Sequence, residues 1–373
     1  MRRWLGAATV LAVAVQTIGL TGLGTTAARA DAWEDLTTVS ADALPTWQTN
    51  GIAWVAKAVG NVVYVGGTFT KVRPPGVAEG GPGEVTRNNF AAFDAETGDL
   101  LPCAPSFTWS AGTPTVRALE PSPDGSRLYI GGRFSQVSFG SSSIGVSSLV
   151  YLDTATCSLT STSSFRRPGM NNLVRALAAT DDALYVGGDF SAVDSTSRAR
   201  LAKLTSAGTL TSFNATINTS VYALIAATDY NKLIVGGSFT QVNGVSGANA
   251  RSLIALHPDT GATVHNFSSW SIPSNSVTKV LVRDGDRFYI GNEGTGSGVF
   301  DGRAAGLLST GAMLWKDTCL GATQALAVYD GVLYSGHHAH DCNDTPGGFP
   351  DGRRRHMLAQ STDDKTILPW FPN

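Results

Sequence analysis

One short motif recurs along this chain and constrains its fold more than any other feature. The motif is an apolar run that ends in two glycines, any residue and a phenylalanine, as in residues 184–190. Copies begin at six positions that lie 45 to 65 residues apart, namely Val63, Leu128, Leu184, Leu233, Phe288 and Leu333. Self-similarity with a period of this size is typical of propellers and solenoids. The sequence therefore predicts a repeat protein.

Each repeat also contains segments around the motif that have the pattern of strands. A V-x-A-L segment precedes the motif (residues 174–177), an L-x-x-L-D segment follows it (residues 149–153), and a last extended run follows a Thr-Gly turn. Short apolar runs bounded by Gly, Asp, Ser and Pro indicate strands, and no window has a helical period. Four antiparallel strands repeated radially form a β-propeller. We predict an all-β fold, a β-propeller of four-stranded blades, with the first strand of each blade lining a channel.

The glycine pair itself has a structural interpretation. Glycine interrupts a strand where another backbone approaches closely or where a bulge is needed. Gly66 and Gly67 are not followed by the Lys-Ser/Thr pair or the helix of a phosphate-binding loop. We therefore expect the motif to be part of the scaffold, with its phenylalanine filling space between blades.

The first thirty residues are typical of a secretory signal. They contain a basic pair at residues 2–3, an apolar stretch at residues 4–20 and a small-residue cleavage site at residues 28–30. The apolar stretch is too short for a good spanning helix, and no later stretch approaches the roughly 20 apolar residues that one needs. We expect residues 1–30 to be a signal peptide and residues 31–373 to be the propeller of a secreted or cell-surface protein with no membrane span.

The two ends of the mature chain resemble each other. Residues 44–50 are similar to residues 368–373, which we assign to the fourth strand of the sixth repeat. Closed propellers use a spare N-terminal strand as a clasp that completes the last blade. Because the sixth repeat already has a fourth strand, the chain has either six blades and a spare strand, or seven blades with three strands beyond Asn373. We expect the second alternative, a seven-bladed protein whose propeller is incomplete here.

The four cysteines predict two disulfide bonds, since exported proteins oxidise their thiols. Cys103 and Cys157 fall at corresponding edges of the first two repeats, while Cys319 and Cys342 flank the first two strands of the sixth. Of the three arrangements that four cysteines allow, we predict Cys103 with Cys157 and Cys319 with Cys342. The net charge of −2, with no basic block beyond residues 353–355, argues against a nucleic-acid partner.

The fifth and sixth repeats depart from the motif, and we expect functional residues at these departures. The sixth repeat also holds four of the six histidines. The predicted ligand-binding residues are Asn292, Glu293, His337, Asp341 and Arg354.

A transition-metal site is a further hypothesis for the sixth repeat. His338 and His340 would share one face of a strand, with His337 on the other face. With His356 or Asp341 as a third ligand, two such imidazoles could bind a single zinc or copper ion. The same group could supply a general base with an orienting carboxylate. The alternative is a polar, disulfide-tied loop whose histidines bond to backbone, and no catalytic residue is predicted.

Nearly all of the mature chain resembles the delta-60 type β-propeller repeats of secreted bacterial proteins, and it is most similar to the exported actinobacterial branch. The resemblance rests on the repeat unit at residues 174–213 and on the stretches at residues 44–51, 63–69, 333–342 and 367–372. It implies a secreted propeller that is often followed by further extracellular modules. It implies no established reaction, so no catalytic residue is carried over.

Two functions fit these observations. The first is a secreted binding scaffold for an extracellular glycan or protein surface, which uses the channel mouth near repeats five, six and one. The second is an extracellular enzyme on a propeller, either a polysaccharide lyase or hydrolase, or a metal-dependent oxidoreductase that uses residues 337–340. We favour the binding scaffold.

Overall fold

Antiparallel strands make up nearly all of the regular structure. The computed structural model describes residues 36–42, 44–159, 165–317, 319, 321–349 and 355–372. Its strands are β1 Gln48–Thr49, β2 Ala53–Val59, β3 Val62–Gly67, β4 Lys71–Arg73, β5 Val85–Thr86, β6 Phe90–Asp94, β7 Ser106–Thr108, β8 Thr115–Pro121, β9 Arg127–Arg133, β10 Gln136–Phe139, β11 Ser142–Gly145, β12 Leu149–Asp153, β13 Ser158–Leu159, β14 Val174–Ala179, β15 Ala183–Gly188, β16 Ala192–Val193, β17 Thr196–Ser197, β18 Leu201–Thr205, β19 Val221–Ala227, β20 Lys232–Gly237, β21 Gln241–Val242, β22 Val245–Ser246, β23 Leu253–Leu256, β24 Thr263–Asn266, β25 Ser276–Asp284, β26 Arg287–Gly294, β27 Arg303–Leu307, β28 Met313–Lys316, β29 Thr323–Tyr329, β30 Val332–Ala339 and β31 Arg355–Ser361. Short 3₁₀ turns lie at Thr228–Tyr230, Gly247–Ala250 and Ser268–Trp270. The predicted signal peptide lies outside the described residues.

Six antiparallel sheets of one design occur in the described part of the chain, and we number them 1 to 6. Their strand orders, from the innermost strand outward, are β2-β3-β6, β8-β9-β12-β13, β14-β15-β18, β19-β20-β23-β24, β25-β26-β27-β28 and β29-β30-β31. In sheets 1, 3 and 6 a single bridged pair takes the place of the fourth strand, namely Phe93 with Leu100, Leu204 with Leu210 and Gln360 with Ile367. The prediction of four-stranded repeats with the glycine motif in the second strand is confirmed.

The innermost strands of the six sheets surround one channel. Strands β2, β8, β14, β19, β25 and β29 each lie beside the next in this order. All six contribute side chains to a cavity of about 1150 Å³. The first strand of each repeat therefore lines the channel, as its V-x-A-L pattern predicts.

The first glycine of each motif is the place where neighbouring sheets meet. A Cβ atom on Gly187 would lie 2.5 Å from Cγ1 of Val221, the residue that begins the pairing of the next innermost strand. The same contact, which we call the interlock, recurs at Gly66 with Val116, Gly131 with Val174, Gly236 with Thr278 and Gly291 with Thr323. Because the sheets approach so closely, only glycine fits at these positions.

The rest of the motif packs as the sequence predicts. The motif phenylalanines are buried in all four copies that keep them, namely Phe69, Phe134, Phe190 and Phe239. Side chains of adjacent sheets share their apolar clusters, so that Tyr185 of sheet 3 packs in the same cluster as Leu233 of sheet 4. Burial of such side chains stabilises the fold by about 1.5–3 kcal/mol each.

Sheets 6 and 1 do not form the interlock within the described residues. A Cβ atom on Gly336 would meet only Ala325 of its own sheet, at 3.3 Å. The facing strands are exposed: Trp54 of β2 is 41% accessible and Tyr329 of β29 is 65% accessible. We call this opening between β29 and β2 the seam. The seventh unit predicted from the sequence stays a prediction.

The N-terminal segment contacts both the first repeat and the sixth sheet. Its paired residues, Gln48 and Thr49, bond to β4 of the first repeat. Earlier in the segment, the backbone N–H of Val39 donates to the hydroxyl of Tyr334 in sheet 6, at 2.9 Å. A clasp that completes a seventh unit stays a prediction.

Both predicted disulfide bonds are confirmed. Cys103 pairs with Cys157 and Cys319 pairs with Cys342, and the structure has no free cysteine. The first bond joins sheet 1 to sheet 2, and the second joins the segment after sheet 5 to sheet 6. Such bonds contribute about 2–4 kcal/mol each and are typical of proteins that fold in an oxidising compartment. In the part of the chain described, no helix has the length and apolarity to cross a membrane.

The interlock predicts different effects of the same substitution at two glycines that occupy the same position of the motif. We expect Gly187→Ala to lower the free energy of unfolding by about 1–3 kcal/mol, because the new methyl group overlaps Val221. Gly336→Ala is the matched control and should change it by less than about 0.5 kcal/mol, because it borders the seam. Urea denaturation followed by tryptophan fluorescence measures both. Equal losses for the two variants would contradict the interlock.

Candidate functional site

Every innermost strand has a β-bulge near its start, at the same position of the repeat. The residue at the second position of the V-x-A-L segment has no partner on the second strand of the sheet. The pairing between the two strands therefore shifts by one residue at this position. A bulge re-aims the extra side chain, and all six of these side chains line the channel cavity. They form what we call the bulge ring: Trp54, Arg117, Arg175, Tyr222, Lys279 and Gln324.

Neighbours in the bulge ring contact one another around the channel mouth. The Arg175 guanidinium lies 5.2 Å from the ring centre of Tyr222, and the Lys279 ammonium lies 4.7 Å from the same ring centre. Lys279 also forms an ion pair with Glu293, N···O 3.2 Å, and Gln324 Nε2 donates to Glu293 Oε2 at 3.0 Å. These cation–π and charged contacts fix the side chains of sheets 3 to 6 in place.

A second acidic group at the mouth belongs to the motif of sheet 3. Both Arg175 Nε and Arg175 Nη2 donate to the carboxylate of Asp189, each at 2.8 Å. The hydroxyl of Ser220 donates to the same carboxylate at 2.6 Å. Burial tends to raise the pKa of Asp189, but these donors outweigh it and lower that pKa. Asp189 is therefore a charged carboxylate whose bonding is already satisfied.

Two of the predicted ligand-binding residues are buried: Asn292 does not border the channel cavity, whereas His337 lies in its wall. Asn292 and His337 occupy the second glycine position of the motif in sheets 5 and 6, and they are 0% and 7% accessible. His337 Nδ1 accepts the backbone N–H of Ala339 at 2.8 Å, so its neutral ring carries hydrogen on Nε2. In sheet 5, the second glycine position can hold the side chain of Asn292, because β26 stays paired with β25 beyond this position. These two residues are therefore part of the packing between strands.

The next position along the motif does face the channel. Glu293 and His338 follow the buried residues in sheets 5 and 6, and both line the cavity together with His356. His340 and Asp341 lie beyond the end of β30 and do not line it. The Asp341 carboxylate accepts two bonds from Asn343, each at 3.2 Å, which closes a local turn. Arg354 lies outside the described residues.

The described residues offer no group of three or more His, Cys, Asp and Glu side chains that could hold a metal ion. His338 and His356 lie at the same mouth, whereas His340 is half-buried outside the cavity. The metal site of His338, His340 and His356 thus stays a prediction from the sequence.

A buried ion pair in sheet 5 is hydrogen-bonded to sheet 6. Arg303 and Asp317 are each fully buried, and Arg303 Nε donates to the Asp317 carboxylate at 2.7 Å. The guanidinium also donates to Ser335 Oγ at 3.1 Å, and Gln360 Nε2 donates to Asp317 at 3.1 Å. We call these four residues the Arg303 network.

Sequence reasoning missed the bulge ring, although the repeats carry a signal for it. The second position of V-x-A-L varies between repeats while its neighbours stay small or β-branched. Large, polar or aromatic side chains occupy it throughout, from Trp54 to Gln324. A variable position inside a repeated frame is where the repeats can differ in chemistry without differing in fold.

Comparison with known proteins agrees with this architecture. A family model described as a domain of unknown function (DUF5122) β-propeller matches residues 180–210. No curated protein matches the sequence. Among solved structures, a chain from the crystal structure of the mitotic checkpoint complex superposes with a TM-score of 0.51 and 14% identity, over 89% of this chain and 86% of that chain.

The chain folds as a β-propeller. A second solved structure, the extracellular domain of a hybrid two-component system from B. thetaiotaomicron, has a TM-score of 0.48 and 14% identity over 87% of this chain and 34% of that one. At such identities the likeness concerns the fold of the propeller alone. The family match lies within one repeat and includes the glycine motif at residues 184–190.

The Arg303 network predicts a large loss of stability when one partner is removed. Arg303→Met leaves the Asp317 carboxylate buried without its counter-ion, which should cost about 3–5 kcal/mol of the free energy of unfolding. Arg287→Met, which removes an exposed arginine paired with Asp363, is the matched control and should cost less than about 1 kcal/mol. Urea denaturation at pH 7 compares them, and similar losses would refute the importance of the network.

The buried His337 predicts a pH dependence of stability. Burial, and then the charges of Arg303, His338 and His356, lower the pKa of His337 to about 2. The unfolded chain gains a proton near pH 6.5 and the folded chain does not, so stability falls as the pH drops below 6.5. We expect a loss of up to about 1.4 kcal/mol per pH unit from this residue.

Urea denaturation between pH 7 and pH 4.5 measures this dependence. His337→Asn should flatten the slope, because asparagine does not titrate. His338→Asn, at the exposed neighbour, is the control and should keep the slope of the parent protein. An unchanged slope in His337→Asn would show that the loss of stability has another source.

Proposed function

We propose that this propeller is an extracellular binding module that holds a glycan at the channel mouth formed by the bulge ring. The supporting observation is that every sheet contributes one bulged side chain to the same cavity. Binding sites are commonly concave, and they combine aromatic surfaces with a few placed polar groups. The ring has this composition, with two aromatic residues, three cations and an amide.

The rigidity of the mouth also supports binding. Each bulged residue lies on a strand paired within a sheet, not on a free loop. Tyr222 is held between two cations, and Glu293 is held by Lys279 and Gln324. A pre-organised site loses little conformational entropy when a ligand binds. Exposed aromatic rings held in this way suit the apolar faces of sugars.

The proposed location is outside the cell. Both disulfide bonds are consistent with it, because such bonds persist in oxidising compartments. The signal-like residues 1–30 motivate the same location from the sequence. The proposal includes no reaction.

A glycan array probed with the purified chain tests the proposal. We expect binding to a defined set of glycans and a loss of at least about tenfold in affinity for Tyr222→Ala, which removes an aromatic wall of the cavity. Tyr329→Ala is the matched control, because that tyrosine is exposed and does not line the cavity. Equal affinities of the two variants, or no glycan bound, would disprove the proposed function.

A further inference from the structure

One cation at the channel mouth has no counter-ion among the residues that the structure describes. Arg117 makes no hydrogen bond or ion pair with any side chain or backbone group that the structure describes. Its guanidinium carbon instead lies 3.8 Å from the ring centre of Trp54. The nearby carboxylates are already engaged, since Asp189 pairs with Arg175 and Glu293 pairs with Lys279.

The surroundings of Arg117 favour an incoming anion. Its side chain is partly buried, and that burial, followed by the charge of Arg175, lowers its pKa to about 10. A negative group beside it would offset both effects. The bulge ring with its two partner acids carries three cations against two anions, so the mouth has a net positive charge that attracts negative ligands.

The Arg117 guanidinium stacks on Trp54, and this stacking leaves its N–H donors available to a ligand. A guanidinium that lies over an aromatic face keeps its N–H donors at the edge of its plane, where a carboxylate can accept two of them side by side. The Trp54 side chain is 41% accessible and borders both the cavity and the seam. An apolar ring face and a forked donor thus lie next to each other.

The two groups together match the chemistry of an acidic sugar. A pyranose ring presents apolar C–H groups that pack on an indole, and a uronic acid carries a carboxylate on that ring. We propose that the channel mouth recognises a uronic acid residue of an extracellular glycan, whose carboxylate binds the Arg117 fork and whose ring contacts Trp54. This inference rests on the proposed glycan-binding function and names its ligand class.

Isothermal titration calorimetry on the purified chain tests the inference with matched sugars. The acidic probes are the trisaccharides of galacturonic acid and of glucuronic acid, and the neutral probes are the corresponding trisaccharides of galactose and glucose. We expect an acidic trisaccharide to bind at least about tenfold more tightly than its neutral counterpart, since charge-assisted hydrogen bonds stabilise a complex to this extent. The preference should weaken as salt is raised.

Two arginine variants then locate the contact. Arg117→Gln should abolish the preference for the acidic sugar, so that the acidic and the neutral probe bind with similar affinities. Arg117→Lys keeps the charge but not the fork, and it should retain only part of the preference. Arg133→Gln is the matched control, because that arginine also lies over a tryptophan, Trp109 at 5.2 Å, but already donates to Asn172. It should leave the preference unchanged.

The outcomes separate this inference from the proposed function. Equal binding of acidic and neutral probes, or a preference that survives Arg117→Gln, would overturn the uronic acid assignment while glycan binding sensitive to Tyr222→Ala still stood. No binding of either acidic probe would also overturn it. A circular dichroism spectrum matching the parent protein shows that each variant is folded.

Discussion

The whole architecture depends on the contact between a glycine of one sheet and a β-branched residue of the next. This interlock sets the distance between sheets, because a larger residue at Gly187 would push Val221 away. The residue after the interlock is the one whose side chain points into the channel. Val221 packs against the neighbouring sheet, and the following residue, Tyr222, bulges out of the ladder and into the channel. Packing and the candidate site thus occupy two consecutive residues of the same strand.

The sequence predicts those parts of the fold that depend on local pattern. Strand positions, the glycine motif and its buried phenylalanines follow from apolar runs and turn residues, and both disulfide pairs follow from their places in the repeats. The bulge ring could not be predicted in the same way. A bulge shifts the register by one residue, and the alternation of apolar and polar residues does not show on which side the extra residue lies.

The two departures from the motif show a similar limit. Asn292 and His337 stand out in the sequence because they replace glycine, yet they are buried. The residues beside them, Glu293 and His338, face the channel. The sequence does not reveal the Arg303 network for another reason. Arg303 begins β27 and Asp317 follows β28, and a sequence gives no measure of their separation in space. The position of the N-terminal strand against β4 likewise depends on tertiary contacts that repeat patterns do not contain.

Sheets 1 and 6, which lie on either side of the seam, are each held by a disulfide bond. In the part of the chain described, the innermost strands of sheets 2 to 5 each pack extensively on two neighbouring innermost strands, whereas those of sheets 1 and 6 each pack extensively on one. A terminal element held from one side frays first in a linear array. The Cys103–Cys157 bond joins sheet 1 to its neighbour, while the Cys319–Cys342 bond and the Arg303 network hold sheet 6. Covalent and ionic contacts thus reinforce the first and the last of the six described sheets.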